Sequence, residues 1–71
     1  MKHKTITPDY NKLLGKDPGH KLTRFEYEYC KEKISSTIPN GVDATFLEDH
    51  TIKFGYVTNQ QADKFEKDCG L

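Results

Sequence analysis

The chain has 71 residues, 11 basic and 11 acidic side chains, and eight Phe and Tyr residues. A chain of this length is expected to form one domain that buries only about 60% of its unfolded surface. Its hydrophobic content of 34% is high enough to exclude the intrinsically disordered class. The charges are sorted along the chain, because residues 1–24 carry a net charge of +4 and residues 25–71 carry −4. The single arginine argues against sequence-specific DNA reading, which relies mainly on arginine contacts to guanine.

The first 15 residues contain lysines but no apolar run of seven or more residues. They therefore predict neither a secretory signal nor a membrane span, and we expect a cytoplasmic protein with no membrane partner. In that compartment Cys30 and Cys69 are expected to be reduced thiols.

The segment TPDYNKLLG predicts a short first helix over residues 8–14. Thr7 is the expected N-cap, Pro8 occupies the first helical position and Gly15 is the stop. A loop around Pro18 and Gly19 follows.

The segment LTRFEYEYCKEKI, residues 22–34, fits two patterns. Its aromatic residues alternate with charged ones, as in a half-buried strand, but Thr23 and Glu26 form a capping box, and Leu22 with Tyr27 can close a hydrophobic staple. The capping signals outweigh the alternation and predict a helix over residues 24–36, which stops before Pro39.

Residues 42–57 predict a β-hairpin with strands at 42–47 and 51–57. A three-residue loop over residues 48–50 places the apolar side chains of both strands on one face. The expected opposed pairs are Phe46 with Ile52, Ala44 with Phe54, and Val42 with Tyr56.

A second capping box, Thr58 with Gln61, predicts a last helix over residues 59–69 with Gly70 as the stop. Ala62, Phe65 and Cys69 form its apolar stripe. The expected fold class is α+β in the order α-α-β-β-α, with a two-stranded antiparallel hairpin packed on helices.

The middle helix is apolar on two sides. Tyr27, Cys30 and Ile34 continue toward the hairpin and are assigned to the core. The other side must be covered by the first helix or remain open to another protein or a second copy of the chain. On the second alternative, the predicted contact residues are Tyr10, Leu22, Phe25 and Tyr29.

A second candidate docking face lies on the last helix. Asp63, Glu66 and Asp68 form an acidic patch that could imitate the charge of nucleic acid toward a basic partner.

Catalytic and metal constellations are weak throughout the chain. Ser35, Ser36, His20 and His50 have no spacing that brings a nucleophile and a base together. The cluster of Glu48, Asp49 and His50 is typical of a polar hairpin tip. The possible zinc ligands lack paired spacing; they are Cys30, Cys69, His3, His20 and His50. We therefore expect no catalytic residue, no metal, no cofactor and no enzymatic activity.

Nucleic-acid binding is the alternative function. Phe46, Phe54 and Tyr56 could stack unpaired bases while the lysines of residues 2–21 contact phosphates. The acidic residues of the last helix would oppose this.

In its size, its preference for lysine over arginine and its complete helix caps, the chain resembles small proteins encoded by phages and other mobile elements. Many such proteins act by binding a host protein and blocking it. The resemblance implies a small non-enzymatic, protein-binding regulator or inhibitor whose partner is a host protein.

Overall fold

The computed structural model describes all residues from Met1 to Leu71. It contains three strands and three helices, and its fold class is α+β, as expected. In chain order the elements are β1 Lys2–Ile6, α1 Tyr10–Leu14, α2 Arg24–Ser36, β2 Asp43–Phe46, β3 Ile52–Tyr56 and α3 Asn59–Asp68.

β2 and β3 form the predicted hairpin. Ala44 lies opposite Phe54 and Phe46 opposite Ile52, and the backbone N–H of Leu47 donates to the carbonyl of Thr51 at 2.9 Å. The loop therefore has three residues, 48–50, and its third residue, His50, has a left-handed φ of 68°. This closes the hairpin in the register that the apolar pattern requires.

The expectation of a two-stranded hairpin in the order α-α-β-β-α is wrong in its detail, because residues 2–6 form a third strand. β1 pairs antiparallel with β3, and the sheet order is β1-β3-β2. Lys2 and Lys4 lie opposite Tyr56 and Phe54, so lysines occupy the positions where a strand pattern requires apolar residues. Only Ile6 gives an apolar signal, and one residue does not define a period of two.

α1 is shorter than predicted. Its N-cap is Asp9, whose Oδ1 accepts a hydrogen bond from the Lys12 N–H at 3.2 Å, so Thr7 and Pro8 lie before the helix. Gly15 ends the helix with a φ of 70°, as expected, because glycine adopts this conformation without a Cβ clash.

Both predicted capping boxes are confirmed. The Thr23 hydroxyl accepts from the Glu26 N–H at 3.2 Å, and the Glu26 carboxylate accepts from the Thr23 N–H at 3.0 Å. Thr58 and Gln61 repeat the arrangement at 3.3 and 3.0 Å. Each box satisfies two backbone N–H groups that a helix start leaves unpaired, which fixes where α2 and α3 begin.

The core lies between the helices and one face of the sheet. The Phe54 ring packs 4.7 Å from Phe65 and 5.6 Å from Tyr56, measured between ring centroids. The buried apolar residues are Tyr10, Cys30, Ile34, Ile52, Phe54, Tyr56, Ala62, Phe65 and Cys69. The other face of the sheet carries no helix and mostly exposed side chains, such as Thr5 and Lys53. The molecule therefore has two layers, and each helix has one outward side.

Candidate interaction surface

Two aromatic side chains stand on the outward side of α2. Phe25 is 89% exposed and Tyr29 is 58% exposed, whereas Cys30 and Ile34 on the same helix are buried. Phe25 lies about 180° around the helix from Ile34. Phe25 and Tyr29, four residues apart, therefore form an aromatic strip on the side of α2 that faces away from the core.

α1 does not cover the aromatic strip, although it lies against α2. The Tyr10 ring meets the Tyr27 ring edge-on at 5.5 Å, and the Cys30 thiol donates to the Tyr10 carbonyl at 3.9 Å. α1 thus packs on the core side of α2. The sequence left undecided whether α1 covers the second apolar side of α2. In the structure it does not, and Phe25 and Tyr29 on that side remain exposed.

A shallow depression continues the aromatic strip toward the end of α2. It has a volume of about 350 Å³ and is lined by Tyr29, Glu32, Lys33 and Ser36. These residues follow one another at helical spacings of three and four. Their spacing from Tyr29 places Glu32, Lys33 and Ser36 on the same face of the helix, although the sequence pattern assigned none of them to a contact surface.

Charged side chains flank the aromatic strip without ion-pair partners. The salt bridges of the chain join Lys4 to Glu66, His20 to Glu26, and Lys64 to Asp68. Those salt bridges leave out Arg24, Glu28 and Glu32, which run along one flank of α2 at intervals of four residues. These three side chains are free to form ion pairs with a partner of complementary charge.

Two of the predicted contact residues do not belong to the exposed face. Tyr10 is only 7% exposed, its hydroxyl donates to the backbone carbonyl of His50, and burial raises the pKa of its phenol. Leu22 is half-buried and packs against the core. The exposed part of the predicted contact face is therefore Phe25 and Tyr29.

The acidic patch of α3 is largely neutralised within the molecule. The Lys4 ammonium lies 2.8 Å from a Glu66 carboxylate oxygen, and this hydrogen bond raises the pKa of Lys4. Lys64 lies 3.6 Å from Asp68. Only Asp63 lacks an ion-pair partner, so the patch offers little net charge to a basic partner.

The hairpin aromatics are not placed to stack bases. Phe54 and Tyr56 are buried in the core. Phe46 is half-buried, and the Lys31 ammonium lies 5.5 Å from its ring centroid. Base stacking needs an exposed aromatic face, so this part of the nucleic-acid hypothesis loses its support.

The two cysteines are buried free thiols. Burial raises the pKa of Cys69 to about 12 and also raises the pKa of Cys30, which keeps both as neutral thiols rather than nucleophilic thiolates. No three His, Cys, Asp or Glu side chains are grouped so that they could hold a metal ion.

The two loop histidines make contacts that spacing alone did not reveal. The His20 Nε2 atom lies 2.9 Å from both carboxylate oxygens of Glu26, and this interaction with His20, together with the Thr23 N–H, lowers the pKa of Glu26 to about 2. The His50 ring stacks on Tyr27 with centroids 3.9 Å apart. Both histidines therefore fasten loops to α2.

No protein-family model, no curated protein and no solved structure matches this chain. The helices are also too short or too polar to cross a bilayer. The geometry of α2 is thus the basis for a functional proposal.

Proposed function

We propose that this protein is a small non-enzymatic regulator or inhibitor that acts in the cytoplasm by docking onto another protein through the aromatic strip of α2. The observation that carries the proposal is the exposure of Phe25, 89%, on a chain whose other phenylalanines are buried or half-buried. A few anchor residues supply most of the binding energy at protein interfaces, and aromatic residues, including phenylalanine, are enriched at the centres of such interfaces.

The surroundings of Phe25 support a specific contact rather than a generally apolar surface. The depression beside Tyr29 can receive a side chain of the partner. The unpaired charges of Arg24, Glu28 and Glu32 can select the partner by complementarity. An apolar centre with a polar rim is the usual arrangement of a protein-binding surface.

The test compares three baits in cells that naturally make the protein: the wild type, a Phe25→Ser/Tyr29→Ser double variant, and a Lys53→Ser control on the open face of the sheet. Quantitative mass spectrometry should find a protein that the wild type and the control retain and the double variant loses. Equal retention by all three baits would contradict the proposed surface.

A second measurement addresses the alternative function. Binding to single-stranded RNA is expected to be weak at about 150 mM salt. The affinity from phosphate contacts falls as the salt concentration rises, and the hairpin aromatics are not exposed to add base stacking. Sub-micromolar binding under those conditions would favour nucleic-acid binding over protein docking as the function.

A further inference from the structure

We propose that two copies of this chain pair through α2. The two helices run antiparallel about a two-fold axis near Tyr29, and Phe25 of each copy enters the depression of the other copy. This proposal stands without the partner proposed above, because it concerns the purified protein alone.

The distance along α2 between Phe25 and the depression supports the pairing. The depression is lined by residues from Tyr29 to Ser36, so its centre lies about 11 Å along the helix axis from Phe25 at 1.5 Å per residue. A two-fold axis halfway between them passes close to Tyr29, about 6 Å from Phe25. Both copies then place a projecting ring opposite a hollow, which is the self-complementarity that a two-fold interface needs.

The flanking charges agree with the same register. A perpendicular two-fold axis brings equivalent flanks of two antiparallel helices together. Arg24 then stands within about 2 Å, along the axis, of the level of Glu32 in the other copy. Neither residue has an ion-pair partner within its own chain, so the dimer forms two symmetric pairs of opposite charge. Glu28 of both copies meets near the axis, where the like charges repel and limit the affinity.

The size of the interface sets the expected strength. A standard interface buries about 800 Å² per partner, which is about a sixth of the 4905 Å² surface of this chain. α2 has 13 residues and is about 20 Å long, so one helix pair buries less than the standard area. Small interfaces are typical of weak and transient association, so we expect a reversible dimer. It covers the same aromatic strip that would meet a protein partner, and docking would therefore compete with dimerisation.

Sedimentation equilibrium of the purified chain tests the pairing. The wild type and a Lys53→Ala control should show the same concentration-dependent dimer, and Phe25→Ala should weaken it about tenfold or more. A wild type that stays monomeric up to about 1 mM, or a Phe25→Ala variant that dimerises as well as the wild type, would overturn the proposal. Phe25 is 89% exposed, so the variant is expected to fold, and circular dichroism checks this.

A charge exchange tests the register. Arg24→Glu and Glu32→Arg should each weaken the dimer, and the double variant should restore it because the pairs are re-formed with opposite polarity. Glu28→Gln should strengthen it. Failure of the double variant to recover the affinity, or weakening by Glu28→Gln, would contradict this arrangement. None of these outcomes depends on a second protein. The experiments can therefore refute the dimer without refuting the proposed function, and the reverse.

Discussion

The two long helices begin with the same capping box but present different outer faces. α3 buries Ala62 and Phe65, and the residues it exposes are polar or charged. α2 buries Cys30 and Ile34 but exposes Phe25 and Tyr29. Equal caps show that the start of a helix is a local property of four residues. The outer faces of the two helices differ because α3 buries all of its apolar side chains in the core, whereas α2 has apolar surface that a single copy of the chain does not bury.

The largest expected effect comes from the buried face of α3. Phe65 is fully buried and packs against the Phe54 ring. Phe65→Ala should lower the free energy of unfolding by about 3–5 kcal/mol, because it removes buried surface and leaves a cavity. Chemical denaturation measures the loss. A change below about 1 kcal/mol would mean that α3 is not anchored as described.

The capping threonines should have smaller and similar effects in both helices. Thr23→Ala and Thr58→Ala each remove one hydroxyl acceptor from a helix N-terminus and should each cost about 1 kcal/mol. Serine at either position keeps the acceptor and serves as the matched control. Thermal unfolding measures the stability of the variants. If the serine variants were as destabilised as the alanine variants, the hydroxyl would not be what stabilises these helix ends.

The sequence predicted the parts of the fold that local chemistry specifies. The bounds of α2 and the register of the hairpin followed from capping residues and from apolar alternation. β1 could not be predicted, because its helix-facing positions hold Lys2 and Lys4, whose ammonium groups reach Asn59 and Glu66 on α3. A contact that spans about the whole chain leaves no periodic signal in the strand itself.

The exposed aromatic side of α2 was predicted only in part for the same reason. Two apolar sides of α2 could be read from its sequence, but the side that α1 covers depends on where Tyr10 packs. The structure places Tyr10 in the core beside Tyr27. Phe25 and Tyr29 consequently remain exposed, and the depression beside them appears only once α2 is seen without a neighbour on that side.

The two capping boxes should respond differently to acid. α3 uses Gln61, which does not titrate, whereas α2 uses Glu26, whose pKa is lowered from 4.5 to about 2 by its contacts to His20 and Thr23. A lowered pKa in the folded state means that the stabilisation is fully present above pH 4.5 and is lost as the pH falls through about 2.

The acid effect should be smaller than the loss of a capping hydroxyl, because the pair is partly open to solvent and is screened. Denaturation of the wild type and of Glu26→Gln at a series of pH values measures it. The stability advantage of the wild type should shrink toward low pH. An advantage that stays constant between about pH 5 and pH 2 would show that the Glu26 charge does not contribute.

The smallest expected effect is on the exposed face of α2. Phe25→Ala and Tyr29→Ala should each change the free energy of unfolding by less than about 0.5 kcal/mol, as is usual for surface positions without buried contacts. Alanine also has a higher helix propensity than either aromatic residue, which offsets the small contacts that are lost. Denaturation at a low protein concentration, where a weak dimer dissociates, gives the intrinsic value for the monomer. A cost above about 2 kcal/mol would place these rings in the core and would remove the contrast with α3. A near-zero cost at low concentration, together with a larger cost at high concentration, would show that the rings stabilise an assembly rather than the fold.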